Sequence, residues 1–169
     1  MVKAIALDIE STIFNKGNVY DYRNKCCYIG LYNGDTYDLF DIEYSDHSYK
    51  RELSEVQSIL DSYDTLVGFN IKFDLGYLRR YRIDFSNHSI HDCQLVDFIL
   101  GCQSTPYPSL DGVASKYNLG VKLNMVANDY WDKGIDTIDV PKDILEKYLC
   151  QDLFLTWEIY LKQLEEIGQ

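Results

Sequence analysis

Proline is scarce in this chain, with 3 in 169 residues, and methionine and tryptophan are scarcer, with 2 each. No Pro/Gly/Ser-rich stretch, low-complexity tract or internal repeat interrupts it. Without a candidate linker, the length predicts a single domain over residues 1–169. No apolar run reaches the roughly 18 residues that a membrane-spanning helix needs, so no membrane partner is expected. Met1-Val2-Lys3-Ala4 leads into a strand-like run without a signal-peptide layout, which predicts an intracellular, reduced, cytoplasmic protein. Basic residues are the minority: 16 Lys and Arg face 27 Asp and Glu, for a formal net charge of −11. Phosphate-binding surfaces are usually basic, so this balance argues against nucleic-acid binding through a broad basic surface. The 5 cysteines, Cys26, Cys27, Cys93, Cys102 and Cys150, form no CxxC pair and no zinc spacing with histidine. They read as buried, reduced thiols.

Apolar residues are plentiful, at 46%, enough for a packed core despite the charge. Val2 to Ile9 reads as a first strand buried on both faces. Val19–Leu31 and Thr36–Tyr44, rich in Tyr, Ile and Phe, read as the arms of an antiparallel hairpin around Asn33-Gly34-Asp35. Helical spacing of Leu53, Val56, Ile59 and Leu60 predicts a helix over Ser48–Tyr63. Asp64–Phe69 is a short apolar strand, followed by a turn and helix over Asn70–Arg82. Ser89–Asp92 reads as a strand and Cys93–Leu100 as a helix; Ser109 is a good N-cap for another. Pro141 suits the first turn of a last helix, with Leu145, Leu149, Leu153 and Tyr160 on its buried face and Gly168 as its stop. Strands early and helices late imply an α/β mixed sheet with an antiparallel hairpin beside parallel strands.

The acids become informative when placed on these elements. Asp8 and Glu10 end the first strand, and residues two apart on a strand share a face. Two close carboxylates at the tip of a buried strand repel unless a cation neutralises them. A hard divalent cation takes oxygen ligands of this kind. By itself, Asp-x-Glu also suits a solvated strand end. Asp74 follows the strand Asp64–Phe69, and carboxyl ends of strands are where open α/β sheets place their sites. It also suits a first-turn acid favoured by the helix dipole. Tyr148 and Asp152 lie four apart on the last helix and share a face. An Asp between Leu149 and Leu153 is a poor helix former in an apolar stripe.

Taken together and in this order, Asp8, Glu10, Asp74 with Asn70 before it, and Tyr148 with Asp152 resemble the three motifs of the DEDD (DnaQ-like) 3′→5′ exonuclease superfamily. They match the branch with tyrosine in the third motif (DEDDy). Asn70-Ile71-Lys72-Phe73-Asp74 is similar to the second motif of the proofreading domain of DNA polymerase I-type enzymes. Ile90-His91-Asp92 and Ser109-Leu110-Asp111 to Tyr117 resemble that domain's intervening segment, so the likeness covers Ile5 to about Tyr160. Lys147 stands where the histidine branch has His, and His47, His88 and His91 read as structural or surface residues. Two neighbours depart from the pattern: Gln151 stands where Glu is frequent, and Leu153 where a small residue is frequent.

The resemblance implies an RNase H-like fold, a five-stranded mixed sheet flanked by helices with the site at one edge. It implies two Mg²⁺ or Mn²⁺ ions held by Asp8, Glu10, Asp74 and Asp152. Asp8 would bridge both, Glu10 and Asp152 would complete the water-binding site, and Asp74 would hold the second ion. Tyr148, a phenol with a pKa of about 10, would position the attacking water first, and accept a proton only if the metal lowers that pKa. Ser11, Thr12, Asn70, Phe73 and Arg79 are the substrate-contact candidates. Phe14, Phe69 and Tyr77 are further stacking candidates, and Arg80, Arg82, Lys116 and Lys122 weaker basic ones. The implied activity is release of 5′-mononucleotides from single-stranded DNA or frayed 3′ ends, serving replication or repair. No polymerase-like segment follows in the sequence, so proofreading in trans beside a DNA polymerase or other replication protein is one expectation. The alternatives are an exoribonuclease of RNase D type, acting on RNA, and a non-catalytic docking module of a replication complex. The acidic balance adds an expectation of modest affinity, metal-dependent binding and distributive cleavage.

Overall fold

In the computed structural model, residues 3–104, 106–120 and 125–168 are described. The strands are β1 (Ala4–Ser11), β2 (Cys26–Tyr32), β3 (Tyr37–Asp41), β4 (Thr65–Gly68) and β5 (Ser89–Asp92). They form one sheet in the order β3-β2-β1-β4-β5. The hairpin pairs are antiparallel, whereas β4 pairs parallel to both β1 and β5. The helices are α1 (Lys50–Leu60), α2 (Lys72–Arg80), α3 (Cys93–Leu100), α4 (Leu110–Lys116), α5 (Met125–Asp129) and α6 (Lys142–Ile167). None of the helices among the described residues is long and apolar enough to cross a membrane.

The alternation along β1 decides which helices cover which face. Ile5, Leu7 and Ile9 pack with Val56 and Leu60 of α1 and Tyr77 and Leu78 of α2. Ala4 and Ala6 point the other way, into the clusters that contain α6. Their short side chains, together with Gly30 on β2, let α6 approach the sheet closely. A Cβ at Gly30 would lie 2.8 Å from Leu153 Cδ1 and 2.9 Å from Leu149 Cγ. Gly30 therefore makes room for Leu153, the bulky residue where the resemblance has a small one. Each buried leucine contributes about 1.5–3 kcal/mol.

The sequence signals locate most elements, and four points differ. The strand expected over Val19–Leu31 begins at Cys26; the preceding segment is a chain of turns. Tyr20 and Tyr22, which suggested a strand, are 90% and 88% exposed. Polar side chains hold this segment instead. Asn24 donates to Phe14 O and Asn18 O and accepts from Thr12 Oγ1, while Arg80 donates to the carbonyls of Val19, Asp21 and Tyr22. The turn expected at the start of Asn70–Arg82 is there, with Asn70 in the left-handed region at φ 59°, but the helix after it spans Lys72–Arg80 and stops short of Arg82, which is left-handed at φ 62°. The short helix α5 had no periodic signal. Among the cysteines, Cys26, Cys27 and Cys93 are buried, but Cys150 is half-buried and Cys102 exposed; all are free thiols. Elsewhere local chemistry acts as expected: Ser109 Oγ caps α4 through Gly112 N, and Gly168 ends α6 at φ 82°. His91 Nε2 meets Gln163 Oε1 at 2.9 Å and His88 Nε2 meets Leu60 O, which are structural contacts.

Candidate active site

Asp8 and Glu10 continue the Ala4/Ala6 side of β1, so their side chains face the helix that covers it. Directly after Glu10 the pairing with β2 slips, with Ser11 opposite Cys26. Such a bulge ends the ladder and re-aims the chain. The turn after it is strained: Asn15, Lys16 and Gly17 all have positive φ, at 48°, 58° and 71°. Left-handed non-glycine residues persist only where their surroundings hold them. Here Tyr77 Oη donates to Gly17 O at 2.9 Å, and a Cβ at Gly17 would lie 2.9 Å from Ser11 Oγ.

The third acid arrives from across the sheet. β4 ends at Gly68, the chain turns at Asn70, and Asp92 Oδ1 accepts from Asn70 N at 3.0 Å. Asparagine tolerates the left-handed conformation better than most residues, a local reason for its place here. The turn sets α2 so that Asp74, 2% exposed, presents Oδ1 to the backbone N–H of Ile9 at 3.0 Å. Burial, then the charge of Asp8, pushes the Asp74 carboxyl well above the usual carboxylate range; the Ile9 hydrogen bond acts the other way. The second pair comes from α6, where Tyr148 and Asp152 are both buried one turn apart. The Tyr148 phenol is pushed up by burial, then by Asp152, Glu10 and Asp8. These carboxylates therefore face one another across three elements that are distant in sequence.

All five acid and tyrosine positions line a single cleft of about 690 Å³. Ser11, Thr12, Asn70 and Phe73 line it too, as does Phe69. Arg79 does not: it lines a separate depression beyond α2. Tyr77 is fully buried and braces the turn at Gly17, so it is not available for stacking. Phe14 is 42% exposed, lies 5.0 Å from the Arg23 guanidinium and is not among the cleft's walls. Lys116 is engaged by Asp97 at 2.7 Å, and Lys122 lies outside the described residues.

Several cleft residues, among them Ile13, Lys16, Trp131 and Asp132, were not singled out from the sequence. Lys16 lines the acidic cleft from the left-handed turn. Trp131 lies edge-on to Tyr148, with ring centroids 5.6 Å apart. Its Nε1 donates to Thr137 Oγ1, which donates to Ser11 O at 2.6 Å. A tryptophan in the polar stretch Asn128-Asp129-Tyr130-Trp131-Asp132 was the available signal.

Among the described residues, no three His, Cys, Asp or Glu side chains are drawn together tightly enough to hold an ion as they stand. The Asp74 carboxyl is raised first by its burial and then by the like charge of Asp8. The donor set consists of carboxylate oxygens and a phenol, which suits a hard divalent cation and not a soft one.

A five-stranded mixed sheet with acids converging at the carboxyl ends of β1 and β4 is the RNase H-like α/β architecture of exonucleases. The sequence matches the 3′-5′ exonuclease family over residues 1–167. The chain belongs to this DEDD-type family, and with it to the nuclease hydrolases. No functionally curated protein matches the sequence. Among solved structures, Escherichia coli RNase D, an exoribonuclease involved in structured RNA processing, superposes with a TM-score of 0.68 at 17% identity. That match covers 98% of this chain and 40% of RNase D, so the chain spans about two fifths of that protein. Trypanosoma brucei RNase D in complex with RNA U12 gives 0.69 at 14% identity, covering 94% of this chain and 54% of that one. The family B DNA polymerase of the archaeon Pyrobaculum calidifontis gives 0.66 at 17% identity, covering 97% of this chain and 24% of the polymerase.

Proposed function

We propose that the chain is a metal-dependent 3′→5′ exonuclease of the tyrosine branch, hydrolysing single-stranded DNA or frayed 3′ ends to 5′-mononucleotides. The observation that carries this is the convergence of Asp8, Glu10, Asp74, Tyr148 and Asp152 on one open cleft. Asp8, Glu10, Asp74 and Asp152 would hold two Mg²⁺ or Mn²⁺ ions. When bound, such a pair offsets charge at the attacked phosphate and at the leaving oxygen, and lowers the pKa of water.

The chain's own residues do the rest. Tyr148, whose phenol burial and then its acidic neighbours push up in the metal-free chain, hydrogen-bonds and orients the attacking water. Phe69 and Phe73 offer ring faces on which terminal bases stack. Ser11, Thr12 and Asn70 supply polar contacts in the cleft, Ser11 and Thr12 from buried positions, and the exposed Lys16 a positive charge for a phosphate. Specificity for base is low, because these groups address backbone and chain end.

The test is degradation of matched 3′- and 5′-labelled DNA and RNA single strands, with Mg²⁺ and with EDTA. Mononucleotides released from the 3′ end of DNA, only with metal, support the proposal. Faster release from RNA moves it to an exoribonuclease of RNase D type. Metal-independent cleavage, or none, refutes it.

A further inference from the structure

In a chain of net charge −11, one surface depression is lined by three cations and no carboxylate. Lys72, Arg79 and Arg80 come from α2, and Val19, Tyr20 and Phe85 complete its main walls around about 410 Å³. All three basic side chains are exposed. The Arg80 head reaches the carbonyls of Val19, Asp21 and Tyr22, which fixes its charge beside the loop. The Arg79 guanidinium lies 5.9 Å from the Phe85 ring centroid, so it sits beside an aromatic face. Tyr20 stands at the rim, almost wholly exposed.

A single ridge separates this depression from the catalytic cleft. On the loop, Lys16 and Gly17 face the cleft, while Val19 and Tyr20 face the depression. On α2, Phe73 and Asp74 face the cleft, while Lys72 and Gly76 face the depression. The ridge is rigid: Tyr77 holds Gly17 O, Arg80 holds Val19 O, and a Cβ at Gly76 would lie 3.2 Å from Val19 Cγ1.

We propose that this depression is a second nucleic-acid subsite, which holds the sugar–phosphate backbone of the strand leading up to the 3′ end in the cleft. The proposal rests on the exonuclease reading above. A strand with its end among the carboxylates has to leave the cleft over an edge, and this exit replaces acids with cations at once. Lys72 and Arg79 face phosphates there, and Tyr20 offers a ring for a base, the combination by which single strands are held without sequence preference. The net acidity of the chain thus coexists with a local basic path lined from the same loop and helix as the cleft.

The experiment uses the full chain in EDTA, where no strand is cut, and reads the anisotropy of a labelled 12-nucleotide single strand against salt concentration. Each single-strand phosphate contact contributes about 0.7 to the slope of log K against log salt. Lys72→Ala/Arg79→Ala is expected to lower the slope by about 1.4 and, at about 0.15 M salt, to weaken binding roughly tenfold. Arg51→Ala, on the exposed face of α1, is expected to do neither. With Mg²⁺ restored, the double variant should lose its preference for the 12-mer over a trinucleotide by a similar factor. An unchanged slope in the double variant, an equal effect of Arg51→Ala, or no binding by the parent chain overturns the subsite. A normal slope change with no hydrolysis of any strand by the parent chain instead refutes the exonuclease reading.

Discussion

Asp74 Oδ1 accepts a hydrogen bond from the backbone N–H of Ile9, the residue between Asp8 and Glu10, at 3.0 Å. Sixty-five positions separate the two in sequence. This buried contact fixes the start of α2 to the tip of β1, so the acid of one motif is set by the backbone of another. Position and charge at residue 74 can therefore be separated.

Asp74→Asn keeps an oxygen that accepts from Ile9 and removes the charge. Hydrolysis is expected to fall on the order of 10²-fold or more, since one preorganised charge partner is lost. The metal-free variant should melt at or above the parent temperature, because a buried charge facing Asp8 is gone. Thermal denaturation beside single-turnover rates checks this; a large drop in melting temperature would show that the carboxylate acts mainly in folding.

Divalent cations should stabilise the protein as well as activate it. At about a hundredfold excess over Kd, a ligand that binds only the native state adds about 2.7 kcal/mol. For a domain of this size that amounts to a rise in melting temperature of roughly 5–10 °C. Calorimetry with and without Mg²⁺ reads the shift. It should shrink in Asp8→Asn and Asp152→Asn.

Tyr148→Phe removes the phenol oxygen and leaves the ring against Trp131. A positioning role predicts a kcat about 10- to 100-fold lower with little change in KM, within the range for one oriented group. The shape of the pH–rate profile should stay as in the parent. A profile that loses its alkaline limb in the variant would make Tyr148 a titrating base.

Gly30→Ala tests how closely α6 approaches the sheet. The added methyl meets Leu149 and Leu153, which alternate on α6 with Tyr148 and Asp152. Overpacking of this kind costs typically about 1–3 kcal/mol. Chemical denaturation should show that loss, and activity should fall with it because the helix carrying two site residues is displaced.

The acids were legible in the sequence because their order along the chain resembles the exonuclease motifs; taken singly, each also suited an ordinary strand-end or helix-surface role. Asp8 and Glu10 end an apolar strand, and Asp152 interrupts a leucine stripe. The elements they sit on were legible from local signals: Asn33-Gly34 for the hairpin, Ser109 for a helix start, Gly168 for a helix stop. The segment before Cys26 was not, because tyrosines on an exposed turn mimic a strand, and what holds that turn is Asn24 and Arg80 reaching across the fold. Trp131 and Lys16 were missed for the same reason: a side chain in a loop has no periodicity to announce where it points.

The sequence by itself determined the class of the protein through the order of its acidic motifs, which resembles that of the exonuclease family, while spacing along strands and helices sets which carboxylates share a face. Only the tertiary structure decided how those faces meet. Alanines at 4 and 6 and glycine at 30 let α6 close on the sheet, and the Ile9–Asp74 bond sets α2 against β1. It also separated Arg79 from the cleft it was expected to serve, because direction around a helix axis, not nearness in sequence, sets which side of a ridge a residue faces.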